Sequence, residues 1–345
     1  MKNLILTCCA LLMLAPSGWS QDTSMDYRPF KIGAINFFGY GGLPLRQIRS
    51  KLPLHIGDAL TSATFSKKDT NDAISAVIGK PPTDVAVICC DPSQQLLIFI
   101  GLPGSTFRPV SISLVPSGSA RLDREGLDLY EREGLLLKQA IEQGHAGEDR
   151  SLGYMVSNDP SLKALNLAMR SYSLRRESDL SHVLQTSSDP RQRRAAAALL
   201  GYVQRSPSQV EALSKAMSDS DEEVRNNAVR ALVVLSDATG AEPLQINVQP
   251  LINLLYSGVW TDRNKASLLL QSLTTTRNAK VLHSLRLSAM GPLIEGASWT
   301  GDPDHSKPFL VILGRIGSLS DKRLGYMLKK EDKNSIISAA MSSSE

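Results

Sequence analysis

A twelve-residue pattern that returns along the second half of the chain constrains the fold more than any other feature. Asp189-Pro190-Arg191-Gln192-Arg193-Arg194-Ala195-Ala196-Ala197-Ala198-Leu199-Leu200 recurs as Asp221-Glu222-Glu223-Val224-Arg225-Asn226-Asn227-Ala228-Val229-Arg230-Ala231-Leu232, an offset of 32 residues. Asp189, Arg193, Ala196 and Leu200 superpose on Asp221, Arg225, Ala228 and Leu232. A third copy places Arg263, Ala266 and Leu270 at an offset of 38 residues, and a last, degenerate copy runs from Lys307 to Gly314. In the second copy Val224, Ala228, Ala231, Leu232 and Leu235 make one helical stripe. Each of the second and third copies follows another apolar helix, at Val210–Met217 and Val248–Leu255. Repeats of this period are single helix pairs that cannot bury their own apolar faces, so they stack side by side into an α-solenoid. Alanine suits that role, because it lets backbones approach without losing helix propensity.

The spacing Asp-x-x-Val-Arg-x-x-Ala-x-x-x-Leu at Asp221–Leu232 closely resembles a HEAT repeat, and the resemblance covers roughly residues 160–328. It implies that Asp189, Asp221, Arg193, Arg225 and Arg263 form a ladder between successive repeats. Gln192 and Asp262 stand where Val224 fills an apolar slot, so the first and third repeats depart from the pattern. In that family the second helix of each pair commonly lines the concave face. The resemblance therefore makes Arg194, Asn226, Asn227, Arg230, Asn264 and Lys265 the expected partner-binding positions.

The first half reads differently. Phe30–Phe38 reads as a strand, with Phe30, Ile32, Ala34 and Asn36 on one face and Ile35 and Phe37 on the other, ending at Gly39 and Gly41-Gly42. Leu45, Ile48 and Leu52 have helical spacing; Asp69 is positioned to cap a second helix that stops at Gly79. Val85, Val87 and Cys89 alternate as a second strand, and Leu96–Ile100 forms a third. This β-α-α-β-β order resembles a POTRA domain, the polypeptide-transport-associated module. The resemblance implies a periplasmic binding module that takes an extra strand at its sheet edge. In that family such domains precede an outer-membrane barrel, and no barrel-length run of alternating strands follows here.

The expected fold is thus an α+β N-terminal domain followed by an all-α HEAT-type solenoid. Its expected divisions are a signal peptide at 1–20, a POTRA-like domain at 29–103, a linker at 104–120, a helix-and-loop connector at 121–159 and the solenoid at 160–345. The linker is rich in Ser, Gly and Pro, with one further strand expected at Val110–Val115. A charged helix is expected from Leu122 to Gln143, although Gly126 and Gly134 weaken it.

Lys2, the apolar run Leu4–Ala15 and the breaker-plus-small-residue stretch Pro16–Ser20 read as a cleavable secretory signal. The run is too short to span a bilayer, which needs about 20 apolar residues. Cys8 and Cys9 lack the small residue that lipoprotein signals place ahead of the cysteine, since Thr7 stands there. Beyond the signal only Cys89 and Cys90 remain, which excludes a multi-bridge disulfide framework. Strand neighbours point to opposite faces, so the expectation is one packed hydrophobe beside a half-exposed one. A bond between the two, or a metal site, is the alternative.

Composition narrows function only by exclusion. A formal charge of +4 with 38 basic and 34 acidic side chains and no dense basic run gives no electrostatic basis for nucleic-acid binding. Aromatic residues are 5%, too few for a stacking platform. There is no Gly-x-Ser-x-Gly turn, phosphate loop, His-Glu-x-x-His helix or dinucleotide fingerprint, and the five histidines are scattered. The reading is a non-enzymatic protein-interaction scaffold or adaptor, exported to a bacterial cell envelope, with a protein partner, no cofactor, no metal and no membrane span in the mature chain. Two alternatives remain. One is a small-molecule or catalytic pocket between the solenoid and the Leu122–Gln143 helix, using His145, Glu148 or Asp149. The other is an accessory role in outer-membrane protein assembly, carried by the POTRA resemblance alone.

Overall fold

The computed structural model describes residues 30–342 except 61–64 and Ala146. The leader-like segment and its two cysteines lie outside the described residues. An N-terminal mixed sheet with helices is followed by an all-helical region, as expected. The described residues divide into two compact units that interleave along the chain. One comprises 110–255 and 261–288; the other comprises the sheet-bearing segment up to Pro109, then 256–260 and 289–342.

In the sheet-bearing unit the elements are β1 (Phe30–Phe38), α1 (Leu45–Lys51), β2 (Ala59–Leu60), α2 (Lys67–Ile78), β3 (Asp84–Ile88) and β4 (Leu96–Gly101). The sheet order is β2-β1-β4-β3, with β1 and β4 parallel and the other pairings antiparallel. The two-residue β2 was not foreseen; it closes against Phe30 and Lys31. Ser66, rather than Asp69, caps α2, its hydroxyl accepting from Asp69 N at 3.0 Å. Gly79 ends that helix in the left-handed region at φ +72°, where a side chain would be strained.

The face assignment of β1 is corrected by a bulge. The register shifts between Ile32 and Ala34, so Ile32, Ile35 and Phe37 all join the core beneath α1 and α2, with Leu96, Ile98 and Ile100 of β4. Ala34, Asn36, Phe38, Leu97 and Phe99 point the other way. There they meet Trp260 and the C-terminal helices: Phe99 contacts Trp260 and Trp299 at 4.9 Å between ring centroids, and Trp299 Nε1 donates to Phe37 O at 3.1 Å. Asn36 exchanges hydrogen bonds with the backbone of Thr300 at 2.9 and 3.0 Å. Both faces of β4 are covered, which is why Leu96–Gly101 is apolar and buried at every position.

That second cover is formed by the end of α10 (Ala279–Ala297), the turn after it and α11 (Pro303–Ile316), with α12 (Asp321–Lys329) and α13 (Lys333–Ser342) packed on α11. Glu295 on α10 is 3% exposed and takes hydrogen bonds from Gly39 N at 2.8 Å, Tyr40 N at 3.1 Å and the Thr106 hydroxyl. The degenerate last repeat thus groups with the sheet. Cys89 and Cys90, directly after β3, are bonded to each other, and both pack partly buried against the sheet core. This replaces the expected free, oppositely facing pair.

The helical unit holds α3 (Arg124–Glu142), a small hairpin of β5 (Glu148–Asp149) and β6 (Val156–Ser157), α4 (Pro160–Thr186), α5 (Pro190–Leu200), α6 (Pro207–Ala216), α7 (Glu222–Asp237) and α8 (Gln249–Leu255). It also holds most of α9 (Trp260–Leu273) and the start of α10. Helix starts are specified by Asp or Ser caps, followed by proline at the first helical position in α4, α5 and α6. The strand expected at Val110–Val115 is absent. The segment carries no regular secondary structure; Ser113 N donates to Ser218 O at 2.7 Å, while Ile112, Leu114 and Val115 are 57%, 96% and 57% exposed.

Glu295 generates a stability prediction for the sheet-bearing unit. Glu295→Ala strips the acceptor from two backbone N–H groups and a hydroxyl, and is expected to cost on the order of 3 kcal/mol. Glu295→Gln, which keeps one acceptor oxygen, should cost less. Chemical denaturation of the three proteins checks the ranking.

Candidate partner-binding face

The repeat arginines act as rungs. Arg193, 1% exposed, binds Asp219 through Nε at 2.8 Å and Nη2 at 2.9 Å, and its Nη1 donates to Ser187 O at 3.0 Å. One repeat on, Arg225 binds Asp262 through Nε at 2.9 Å and Nη2 at 2.7 Å, and its Nη1 donates to Asp219 O at 2.9 Å. The planar guanidinium fits two carboxylate oxygens at once while reaching back to its own turn. The carboxylates of the buried rungs are therefore Asp219 and Asp262, where the sequence pointed to Asp189 and Asp221. Those two cap α5 and α7, and Asp221 also pairs with Arg194 at 2.6 Å. Asp262 departs from the apolar slot because it is the acceptor of Arg225.

The second helices α5 and α7 carry four of the six expected partner-binding residues, and the chain's own α3 and β5 lie against them. Arg194 pairs with Asp221 and with Glu223 at 2.9 Å. Asn227 Nδ2 donates to Arg194 O at 3.2 Å and reaches the Tyr130 hydroxyl of α3 at 3.4 Å. Tyr130 itself donates to Glu223 at 2.5 Å. Arg230 binds Glu148 of β5 at 2.6 Å and touches Met155 Sδ. Asn226 is half-buried, and its Nδ2 meets Asn227 Oδ1 at 3.4 Å. Asn264 and Lys265 on α9 are each 4% exposed. Arg194, Asn227 and Arg230 are thus brought together with α3 and β5, and Asn264 and Lys265 are withdrawn from the surface.

Electrostatics reinforce the arrangement around β5. Burial pushes the Glu148 carboxyl up, but the Arg230 and Arg150 guanidiniums beside it overrule that and hold it down at about 2. Burial raises Glu133 of α3 instead, against the pull of Arg230 and of the Tyr202 hydroxyl, which donates to it at 3.1 Å. His145, Glu148 and Asp149 do not converge. His145 is exposed with Asp159 3.9 Å away, Glu148 is turned onto its arginines, and Asp149 accepts from Ser151 N. Among the described residues no group of three His, Cys, Asp or Glu side chains is placed to hold a metal.

Sequence reasoning missed the docking of α3. Its carboxylates meet arginines of α4 and α5: Asp123 with Arg176 at 2.7 Å, Glu125 with Arg175 at 3.3 Å, and Glu131 with Arg191 at 2.9 Å. Gln192, the polar residue in an apolar slot, accepts from Leu122 N at 2.8 Å and fixes the entry to α3. The available signal was the acidic helix set ahead of the arginines at 175, 176, 191 and 194.

Two outcomes are expected. Arg225→Met alone takes the guanidinium away from the buried Asp262 carboxylate and should cost about 3–5 kcal/mol, while Arg225→Met with Asp262→Leu should recover most of that loss in a double-mutant cycle. Because the Glu148 carboxyl titrates lower folded than at its free value of 4.5, its stabilisation is complete above that pH. It is lost as pH falls toward about 2. Thermal melts from pH 5 to pH 2 should fall less steeply in Glu148→Gln than in the wild-type chain.

Residues 177–266 match the family model for HEAT repeats, and repeats of this kind typically mediate protein–protein interaction on a generally non-catalytic scaffold. No curated protein matches the chain at a significant level. No described helix is long and apolar enough to cross a membrane.

Proposed function

We propose that the chain is an exported, non-enzymatic scaffold of a bacterial cell envelope that holds a protein partner on the face of α5 and α7. The observation that carries this reading is the HEAT-matched stack itself, with successive second helices locked in register by buried Arg–Asp rungs. Such a stack is a rigid surface of repeated, similarly oriented helices, suited to a long polypeptide contact rather than to a closed catalytic pocket. Export is supported by the leader-like first 20 residues and by the Cys89–Cys90 bond, since disulfides persist in oxidising compartments. We read the N-terminal module as POTRA-like on its order of strand, helix, two-residue strand, helix, strand and strand, with β3 as the longer edge strand and the place for strand addition.

Cross-linking in the native cells, followed by recovery of the chain and mass spectrometry, tests the reading. One stoichiometric polypeptide cross-linked to α5 and α7 is the expected result; recovery of the chain alone would overturn it. Cell fractionation with N-terminal sequencing tests export, which predicts a processed chain outside the cytoplasm beginning near Gln21. A chain retaining Met1 in the cytoplasmic fraction would remove that part.

A further inference from the structure

We infer that α3 is a displaceable occupant of the partner face, and that the partner presents an acidic amphipathic helix of about five turns that takes its place. This deepens the scaffold reading and rests on it.

The seat is chemically specific. Arg175, Arg176 and Arg191 receive the carboxylates of Glu125, Asp123 and Glu131, while Tyr172 donates to Asp123 at 2.9 Å and Tyr202 donates to Glu133. A ligand for this surface must offer carboxylates on successive turns of one helix face beside a small apolar stripe. The ion-pair part of the hold on α3 is nonetheless weak, beside the part-buried hydrogen bonds of Tyr130 to Glu223 and Tyr202 to Glu133. Its ion pairs to Arg175, Arg176 and Arg191 join side chains that are 38–61% exposed, where solvent screens them and side-chain entropy opposes them. Its buried apolar side chains, among those described, are Leu129 and Ala140, against eight on α7.

Glycine placement separates seat from latch. A Cβ on Gly126 would fall 2.5 Å from the Tyr172 hydroxyl, so that glycine is needed for close approach to α4. A Cβ on Gly134 would have nothing within 4 Å, so no packing reason keeps a helix-weakening residue there. An element with few buried contacts and an unforced interior glycine opens well below the global unfolding free energy.

The probe is a fluorescent synthetic peptide of residues 121–143 of this chain, titrated into the full-length protein by anisotropy. Glu125→Arg with Glu131→Arg, which repels α3 and leaves the seat intact, is expected to bind the peptide at least ten-fold more tightly than the wild type. Gly134→Ala, which strengthens α3, is expected to bind it about five-fold more weakly. Equal affinities across the three proteins overturn the inference. Should the double variant not fold, hydrogen exchange on the wild-type chain decides: α3 amides exchanging at least 100-fold faster than those of α7 support displacement, and equal protection overturns it. Both readouts use the pure protein, so the inference can fail while a cross-linked partner on α5 and α7 still upholds the scaffold, and the reverse.

Discussion

The buried arginine–aspartate rung is the interaction on which the helical unit depends. A guanidinium removed from water is costly unless its donors are paired, and Arg193 and Arg225 pair theirs on the same pattern. Each spends two donors on a carboxylate of the next repeat and another on a carbonyl of its own inter-helix turn. The rung therefore fixes two things together: the conformation of one turn and the register of the helix that follows. Apolar contacts among Ala195, Ala196, Ala197 and Val224, Ala228, Leu232 supply the driving force but little directional information. The charged rung selects one register among several that alanine-rich helices would tolerate.

The sheet-bearing unit solves a different problem with similar means. A strand buried on both faces has no solvent side to orient it, so β4 relies on what the two covers demand. The helices α1 and α2 take Leu96, Ile98 and Ile100, and the aromatic set around Trp260 and Trp299 takes Phe99. Glu295 ties the end of β1 to the second cover through backbone donors that would otherwise be unsatisfied. A carboxylate is tolerable there because three donors converge on it.

Much of this was legible in the residues. The repeat, the helix pairs and the N-terminal strand–helix alternation followed from periodicity and capping. The bulge between Ile32 and Ala34 was not, because a one-residue slip leaves the alternation intact while exchanging faces. The acceptor role of Asp262 was hidden because superposing Arg263 on Arg225 sets that residue in the apolar slot of Val224. The docking of α3 depends on tertiary proximity between an acidic helix and arginines some 50 to 60 positions away, which no local pattern encodes. The C-terminal helices look like further repeats because an amphipathic stripe reports that a helix is covered, without reporting by what.

The irregular segment between Pro109 and Pro116 has a consequence for the behaviour of the chain in concentrated solution. Val110-Ser111-Ile112-Ser113-Leu114-Val115 is uncharged and rich in β-branched residues, and Ile112, Leu114 and Val115 stand in water. Such hexapeptides nucleate cross-β association when copies meet. The flanking prolines, which donate nothing to a ladder, end any growing pairing at six residues, and the two serines dilute its apolar surface. The segment is thus a contained aggregation site, and loss of either proline would lengthen the template available to a neighbouring molecule.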